Sequence, residues 1–206
     1  REAVNMGDIK AQLKARGCNV PLVADVHFNA AVADTAARYA DKVRVNPGNY
    51  VDAARTFKHI DYTDAEYAEE LVRLRERFVA FLDICKAEGR AVRVGVNHGS
   101  LSDRIMSRYG DTPSGVVESC MEFLRICRDE NFNNVVVSIK TSNTTMMVTT
   151  VRRLVRVMAE EGISYPLHLG VTEAGDAEDG RIKSAVGIGA LLADGIGDTV
   201  RVSLAE

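Results

Sequence analysis

Six short runs of alternating apolar and polar residues constrain the fold of this chain more than any other feature. They are Val23–Phe28, Lys42–Asn46, Val92–Asn97, Val135–Lys140, Leu167–Glu173 and Thr199–Ser203. Helical patterns separate the runs, and strands that alternate with helices usually form a parallel sheet joined by crossover helices. At 206 residues the chain is long enough to bury a substantial core. We therefore expect one α/β domain.

One face of each predicted strand is polar. Because successive side chains point to opposite sides of a strand, Arg44 shares a face with Asn46, and Arg93 shares a face with Asn97. This polar face carries four cations against one acid, Asp25, in the first run. The cations are Arg44, Arg93, Lys140 and Arg201. Buried charge is costly unless it is paired or liganded, so this surplus of positive charge predicts a site for an anion.

The polar residues concentrate toward the C-terminal ends of the predicted strands, which is where (β/α)8 barrels place their chemistry. We therefore predict a parallel α/β barrel of the TIM type rather than a doubly wound sheet. A complete barrel needs eight strands, and six are counted, so the barrel is expected to be incomplete, with the missing pair before residue 1. Residue 1 lies in helical sequence and residue 206 directly follows a strand, which suggests a piece of a larger protein. A strong amphipathic helix is predicted at about 64–88, inside a long insert.

Composition excludes several classes of function. A net charge of −3 argues against a nucleic-acid surface. No apolar run approaches the length that spans a membrane, and nothing resembles a signal peptide. The four cysteines form no C-x-x-C pair, so we expect them to be small buried residues kept reduced in a cytosol rather than a metal site. They are Cys18, Cys85, Cys120 and Cys127.

Taken together, the strand ends closely resemble the barrel of 4-hydroxy-3-methylbut-2-enyl diphosphate synthase, in its large plant-like variant. The matching stretches are PLVADVHF (21–28), RVNPGN (44–49), VRVGVNHGSLSDRIMSRYGD (92–111), SIKTSN (138–143), PLHLGVTEAG (166–175), KSAVGIGALLADGIGDT (183–199) and RVSL (201–204). The resemblance implies that residues 1–206 form strands three to eight of the substrate-binding barrel. The insert domain and the iron–sulfur domain of this variant are expected to lie outside this chain.

The resemblance also implies an activity and its partners. The family reductively opens 2-C-methyl-D-erythritol 2,4-cyclodiphosphate, with loss of water, in isoprenoid biosynthesis. Electrons reach the substrate through a [4Fe-4S] cluster, usually from ferredoxin or flavodoxin, and the cluster ligands are expected outside this chain, which should hold none. We expect no nucleic-acid or membrane partner and, because of the open barrel edges, a homo-oligomer. The expected compartment is the bacterial cytoplasm, or the plastid for a plant-like source.

Physical arguments assign roles to individual side chains. The four cations suit a diphosphate, because guanidinium forks match its oxygens and lysine adds a point charge. Lys140 also has a rival role as a Schiff-base lysine of an aldolase-type barrel. His27 is predicted to donate to a phosphate oxygen or to relay a proton. The remaining predicted substrate-binding residues are amide or hydroxyl donors at strand ends: Asn46, Asn97, Thr172 and Ser203.

Glu173 is the predicted catalytic residue. A carboxylate at the tip of the fifth strand would oppose a diphosphate unless it had another task, and the resemblance implies that it gives a proton to the departing hydroxyl. The alternative is a salt bridge to Arg181 or Lys183. For the whole chain, the alternatives are a pterin-binding barrel of the dihydropteroate synthase type, an aldolase-type barrel, or an inactive binding fragment. The other histidines are expected to lie on a solvated face (His59), to cap a turn (His98) and to pack inside the barrel (His168).

Overall fold

Six parallel strands follow one another in sequence order in the computed structural model, which describes residues 2–52 and 61–203. The strands are β1 (Val23–Asp25), β2 (Lys42–Val45), β3 (Ala91–Asn97), β4 (Val135–Lys140), β5 (His168–Leu169) and β6 (Thr199–Val200). The helices are α1 (Glu2–Ala15), α2 (Ala30–Ala37), α3 (Asp64–Glu88), α4 (Asp103–Tyr109), α5 (Pro113–Asp129), α6 (Thr144–Glu160) and α7 (Ala177–Ala193). Short 3₁₀ turns occupy Pro47–Asn49 and His98–Ser100. The predicted α/β architecture with parallel strands is confirmed.

Strands β1 to β4 form one sheet, and β5 pairs with β6. The two sets are joined at Val137 on β4, which pairs with Leu167 just before β5. The Val137 N–H donates to the Pro166 carbonyl at 2.8 Å. Burial lowers the pKa of Arg44 on β2, and the charge of Arg201, which directly follows β6, is close enough to lower it further. In a flat sheet, four strand spacings would separate the two strands by about 19 Å. The strands therefore curve around a common interior, as they do in an incomplete barrel.

Apolar side chains on the other face of the strands pack against the helices. Val43, Val45, Val92 and Val94 are fully buried, which is the pattern expected for parallel strands covered by helices. A group of aromatic rings extends this core under α3 and α5, with the Phe78 and Phe123 centroids 4.8 Å apart. The sheet thus has an apolar outer face, and its polar inner face is left for a site.

The helix predicted at about 64–88 has these bounds in the structure. Thr63 accepts from the Glu66 N–H while Glu66 accepts from the Thr63 N–H, which forms a capping box at its start. Gly89 ends the helix with a φ of 64°, a conformation that favours glycine. Helix α3 connects β2 to β3 and packs against α2 and α5. It therefore occupies the position of the crossover helix between these two strands.

Four strands are shorter than their polar patterns predict. The regular pairing of β1, β2, β5 and β6 ends one to four residues before the predicted ends. Both β1 and β6 pair on one side only among the described residues, so few hydrogen bonds keep their ends in register. Helix α7 begins at Ala177, and Glu178 and Asp179 in its first turn favour the positive end of the helix. No described helix combines the length and apolar character needed to cross a bilayer.

Candidate functional site

The predicted cations meet on the inner face of the strands. Arg44 and Lys140 are nearly sealed from solvent, at 4% and 5% exposure, whereas Arg93 is half-buried and Arg201, directly after β6, is exposed. Asp25 accepts from Arg44 at 2.8 Å and lies 3.5 Å from Arg93. Burial acts against the charge of Asp25, but Arg44 and Arg93 outweigh it and lower the pKa of this carboxyl. One carboxylate therefore serves two arginines.

Arg44 is the most fully engaged of these cations. Besides its bond to Asp25, its Nη2 donates to the Gly95 carbonyl at 2.8 Å, and its Nη1 contacts the His27 ring. A Cβ atom at residue 95 would lie 2.6 Å from Arg44 Nε, so a glycine is needed where the guanidinium crosses the interior. Arg44 accordingly has a structural role in holding β1, β2 and β3 together at the site.

Lys140 lies at the end of β4 with neither an ion pair nor a hydrogen bond to any other described residue. Burial, followed by the charges of Arg201, Arg93 and Arg44, lowers its pKa from 10.5 to about 7. Arg201 likewise has no ion pair within the described ranges. These two cations carry the unneutralised charge of the site, and an anion bound beside them would supply the missing partner.

A cavity of about 580 Å³ opens at the C-terminal ends of the strands. Five predicted site residues line it: His27, Asn46, Asn97, Thr172 and Glu173. The cations are not among the lining residues, so the site consists of a polar cavity and an adjoining cationic cluster, made of Arg44, Arg93, Lys140 and Arg201. Ser203, the remaining predicted residue, is half-buried and also does not line the cavity.

The loops after β2 and β3 are locked together beside the cavity. The Asn46 amide nitrogen donates to Ser100 Oγ at 2.8 Å, while its oxygen accepts from the Gly48 N–H at 3.2 Å. A Cβ atom at residue 48 would lie 1.6 Å from the Ser100 carbonyl oxygen, so this close approach requires a glycine. The nitrogen of the Asn46 amide therefore joins the two loops and its oxygen caps the turn of its own loop, whereas the sequence predicts a contact of Asn46 with the substrate.

Sequence reasoning missed several residues that line the cavity: Phe28, Asn49, His98, Ser100, Thr141 and Ser142. Asn49 is 3% exposed and accepts from the Phe28 N–H at 3.2 Å, which ties the loop after β1 to the loop after β2. Asn49 stood in the Asn-Pro-Gly-Asn turn signal, and Thr141 and Ser142 directly follow Lys140. Their position after a strand was the available signal for all three.

Glu173 and Phe28 share an unusual backbone conformation at the cavity. Their φ angles are 50° and 62°, in the left-handed region that residues other than glycine rarely adopt. Such strain concentrates at functional sites. Glu173 is exposed and has no ion pair with any described residue, so the alternative salt bridge to Arg181 or Lys183 is absent from the structure.

The histidines occupy three different environments. Burial and the charge of Arg44 lower the pKa of His27, which is 3.4 Å from Asp25. His168 Nδ1 is 2.8 Å from Thr199 Oγ1, and burial with the nearby cations lowers its pKa to about 4, so it is neutral inside the strand arc. His98 pairs with Asp111 at the cavity wall. His59 lies outside the described residues.

The residues present do not fit an iron–sulfur cluster. Within the described ranges, no three His, Cys, Asp or Glu side chains converge on a point where a metal ion could bind. Cys85, Cys120 and Cys127 are buried in the core, and burial raises the pKa of the Cys85 and Cys127 thiols to about 12. A thiol that resists deprotonation is a poor metal ligand.

Comparison with solved structures supports the fold. The chain aligns with 3-keto-D-glucoside 4-epimerase YcjR from E. coli at a TM-score of 0.53 and 10% identity, covering 99% of this chain and 79% of that one. It aligns with 2,3-dimethylmalate lyase at a TM-score of 0.51 and 13% identity, covering 96% of this chain and 61% of that one. At such identities the likeness concerns the fold alone.

Sequence comparison identifies the family. The chain is 70% identical over 206 residues to 4-hydroxy-3-methylbut-2-en-1-yl diphosphate synthase (flavodoxin) of Parabacteroides distasonis, covering 100% of this chain and 34% of that protein. It is 55% identical to the chloroplastic ferredoxin-type synthase of Arabidopsis thaliana, covering 100% and 28%. The chain thus spans about a third of the length of these curated relatives. The model of the GcpE TIM-barrel domain matches residues 1–206, and the chain therefore belongs to this family.

Proposed function

We propose that this chain is the substrate-binding barrel of an iron–sulfur oxidoreductase of isoprenoid biosynthesis. The enzyme opens 2-C-methyl-D-erythritol 2,4-cyclodiphosphate reductively to 4-hydroxy-3-methylbut-2-enyl diphosphate. The observation that carries the proposal is the cationic cluster, whose four basic side chains face one carboxylate, Asp25, at the carboxyl ends of barrel strands. The names of the relatives agree with a diphosphate ligand.

The diphosphate is held by the cations that lack partners of their own. Arg201 supplies free charge, and a diphosphate bound beside Lys140 raises the lowered pKa of this amine and so favours its charged form. Arg93 shares Asp25 with Arg44 at the longer distance of 3.5 Å. Arg44 is bonded to Asp25 and to the Gly95 carbonyl, and it stabilises the strands that carry the other cations. Neutral donors then orient the rest of the substrate: His27, Asn97 and Thr172 from the cavity wall, and Ser203 from the segment that follows β6. Asn46 acts by fixing the loop that carries it.

Glu173 supplies the proton that the departing hydroxyl needs. Its carboxyl group is exposed at the cavity, has no cationic partner among the described residues, and sits on a strained backbone at the end of the fifth strand region. A general acid must reach the reacting oxygen within hydrogen-bond distance, and the cavity allows this approach.

The electron path lies outside this chain. The relatives are named for flavodoxin or ferredoxin, and we infer one of these as the electron donor. A [4Fe-4S] cluster that transfers the electrons would be held by residues elsewhere in the longer protein, because the cysteines described here do not fit as its ligands. The inferred compartment is the cytoplasm in a bacterium, or the plastid for a plant-like source.

The family favours this function over the alternatives. The cavity wall carries Phe28 and several asparagines, which a pterin site would also use, so it is the barrel-domain match over residues 1–206 and the synthase relatives that favour the diphosphate reaction. An aldolase-type barrel would place its imine on Lys140, which is surrounded by arginines suited to phosphate.

Turnover by the whole protein tests the proposal. The longer protein with its cluster loaded and reduced should convert the cyclodiphosphate to 4-hydroxy-3-methylbut-2-enyl diphosphate, followed by mass spectrometry. Arg201→Ala in the same protein should raise the substrate Kd by roughly 10- to 100-fold, because a charge-assisted bond is lost. A loaded protein that binds the cyclodiphosphate but makes no such product would contradict the proposed reaction.

We also propose that the isolated chain is catalytically inactive and self-associates. Within the part of the chain that the structure describes, β1 and β6 pair on one side only, and Val23, Val200 and Val202 are 46%, 49% and 53% exposed. Unpaired strand edges with apolar side chains are templates for pairing with another chain. Size-exclusion chromatography with light scattering should give a mass at least twice that of the chain, and a monomer at tens of micromolar would rule this out.

A further inference from the structure

The Lys140 amine is unusual because it has no hydrogen-bond or ion-pair partner among the described residues. The residue is 5% exposed, yet its ammonium nitrogen has no hydrogen-bond acceptor or carboxylate partner among the described residues. A buried ammonium group is normally paired. Thr141 and Ser142 follow it directly and line the cavity, so the cavity leads to the end of β4.

The groups that face Lys140 favour its neutral form. Arg44 on β2, Arg93 on β3 and Arg201 beyond β6 repel its charge, whereas Asp25 at the end of β1 attracts it but is already bonded to Arg44. His168 on β5 is neutral and adds no negative charge. Burial and this repulsion lower the pKa of Lys140 to about 7. A large share of the amine is therefore unprotonated at neutral pH, and an unprotonated lysine is a nucleophile toward carbonyl groups.

The same arginines can hold a phosphate group beside this nucleophile. Guanidinium groups bind phosphate oxygens in bidentate fashion, and Arg93 and Arg201 are the less engaged pair. A small molecule that carries both a phosphate and an aldehyde would be anchored by the first group while the second approaches Lys140 Nζ. The cavity of about 580 Å³ is large enough for such a ligand.

We propose that Lys140 is a site of reversible imine formation with small phosphorylated aldehydes, which thereby block the diphosphate site. The amine nitrogen adds to the carbonyl carbon, the C=O bond is replaced by C=N, and one water leaves. No electron is transferred, and hydrolysis reverses the reaction. The inference rests on the proposed function for its consequence, which is competition with the diphosphate substrate.

Pyridoxal 5′-phosphate is a suitable probe. The whole protein is incubated with it, the imine is reduced with borohydride to a stable secondary amine, and the labelled peptides are mapped by mass spectrometry. Lys140 should be labelled at least about 10-fold faster than Lys14, an exposed lysine on α1, because burial and the neighbouring arginines lower the pKa of Lys140 and the same arginines anchor the phosphate of the probe. Pyrophosphate should protect Lys140 but not Lys14, and the rate should rise with pH through about 7.

Two controls separate the parts of this inference. Pyridoxal without its phosphate should label Lys140 more slowly, since the arginine anchor is lost. Lys140→Arg keeps a positive charge but should lose the label, whereas Lys14→Arg should keep the label at residue 140. Should the Lys140→Arg protein not fold, the peptide map of the unmodified sequence decides alone. Label spread over exposed lysines with residue 140 unmodified overturns the inference, even where pyrophosphate binds. A protein that binds no pyrophosphate overturns the proposed function instead.

Discussion

Two clusters of buried charge in this molecule are balanced in opposite ways. Between α3, α4 and α5, Arg104 donates to both carboxylate oxygens of Glu122 at 2.6 and 2.9 Å and to Asp52 at 3.2 Å. The Tyr67 hydroxyl donates to the same carboxylate at 2.5 Å, and its ring lies beneath the Arg104 guanidinium. On the inner face of the strands, the cationic cluster has Asp25 as its carboxylate among the described residues.

The pKa of the buried cation shifts in opposite directions in the two clusters, upward for Arg104 and downward for Lys140. Burial acts against the charge of Arg104, but the hydrogen bonds and charge of Glu122 outweigh it and raise its pKa. Burial and three neighbouring cations lower the pKa of Lys140 to about 7. A buried cation that is paired with carboxylates therefore indicates a structural tie, whereas one without a carboxylate partner indicates a place for a ligand.

The same contrast holds for two acids, since Glu122 is paired with Arg104 whereas Glu173 has no described cationic partner. The largest expected effect is the loss of turnover on substitution of Glu173. Glu173→Gln removes a carboxyl that no described cation holds, so we expect turnover of the whole enzyme to fall about 10²- to 10⁴-fold with little change in substrate Kd. Steady-state kinetics with reduced cluster measure it. Glu178→Gln, an exposed acid in the first turn of α7, is the matched control. Near-normal turnover of the Glu173 variant would refute its assignment as the proton donor.

Removing the paired acid, Glu122, should instead destabilise the folded protein. Glu122→Ala leaves Arg104 buried without its main partner, which should lower the free energy of unfolding by about 3–5 kcal/mol. Tyr67→Phe, which removes one hydrogen bond to the carboxylate, should cost less, about 1.5–3 kcal/mol. Urea denaturation followed by circular dichroism would measure both. Equal losses, or none, would mean that this cluster is not the structural tie that its geometry indicates.

Lys140→Ala should show the opposite pattern. Pyrophosphate binding should weaken by about 1.5–3 kcal/mol, the value of a charge-assisted hydrogen bond. The free energy of unfolding should stay the same or rise, because a buried and repelled charge is removed. Isothermal titration calorimetry and urea denaturation test the two parts, with Lys14→Ala as the control on an exposed lysine. Unchanged pyrophosphate affinity would place the anion elsewhere.

The smallest expected effect is the pH dependence of stability that Lys140 contributes. Its pKa is about 7 in the folded chain against an ordinary value of 10.5. Between these pH values the unfolded chain binds more protons at this residue, so its contribution to stability rises with pH through this window and is constant below pH 7. The slope is at most about 1.4 kcal/mol per pH unit. Urea denaturation at pH 7 and 9 should show this rise in the wild type but not in Lys140→Ala, and identical slopes would contradict the lowered pKa.

Strand order and the inner polar face could be predicted because both follow from local chemistry. Alternation at period two assigns Arg44, Arg93 and Lys140 to one side of their strands whatever the rest of the chain does. Valine-rich strands separated by helices require a parallel arrangement. The bounds of α3 were predictable for the same reason, since Thr63 and Glu66 form its start and Gly89 its end within a few residues of sequence.

The partners of each polar group could not be predicted, because they come from distant parts of the chain. Alternation gives Arg44 and Lys140 the same character, yet Arg44 meets Asp25 and the Gly95 carbonyl while Lys140 meets other cations. The same limit applies to Asn46, whose amide is used by Ser100, 54 residues away. The Arg104–Glu122 tie, which joins two helices, carried no sequence signal that distinguished it from a solvated pair.

The sequence by itself determined the family, the parallel α/β class and the residues that face the interior, because short-range periodicity and strand-end motifs are sufficient for these. Only the tertiary structure decided which cations are neutralised, which asparagine holds a loop, and where the cavity lies beside the charge. The physical reason is that a buried charge is stabilised or destabilised by whatever lies within a few ångströms of it. In a curved parallel sheet, those neighbours come from strands far apart in sequence.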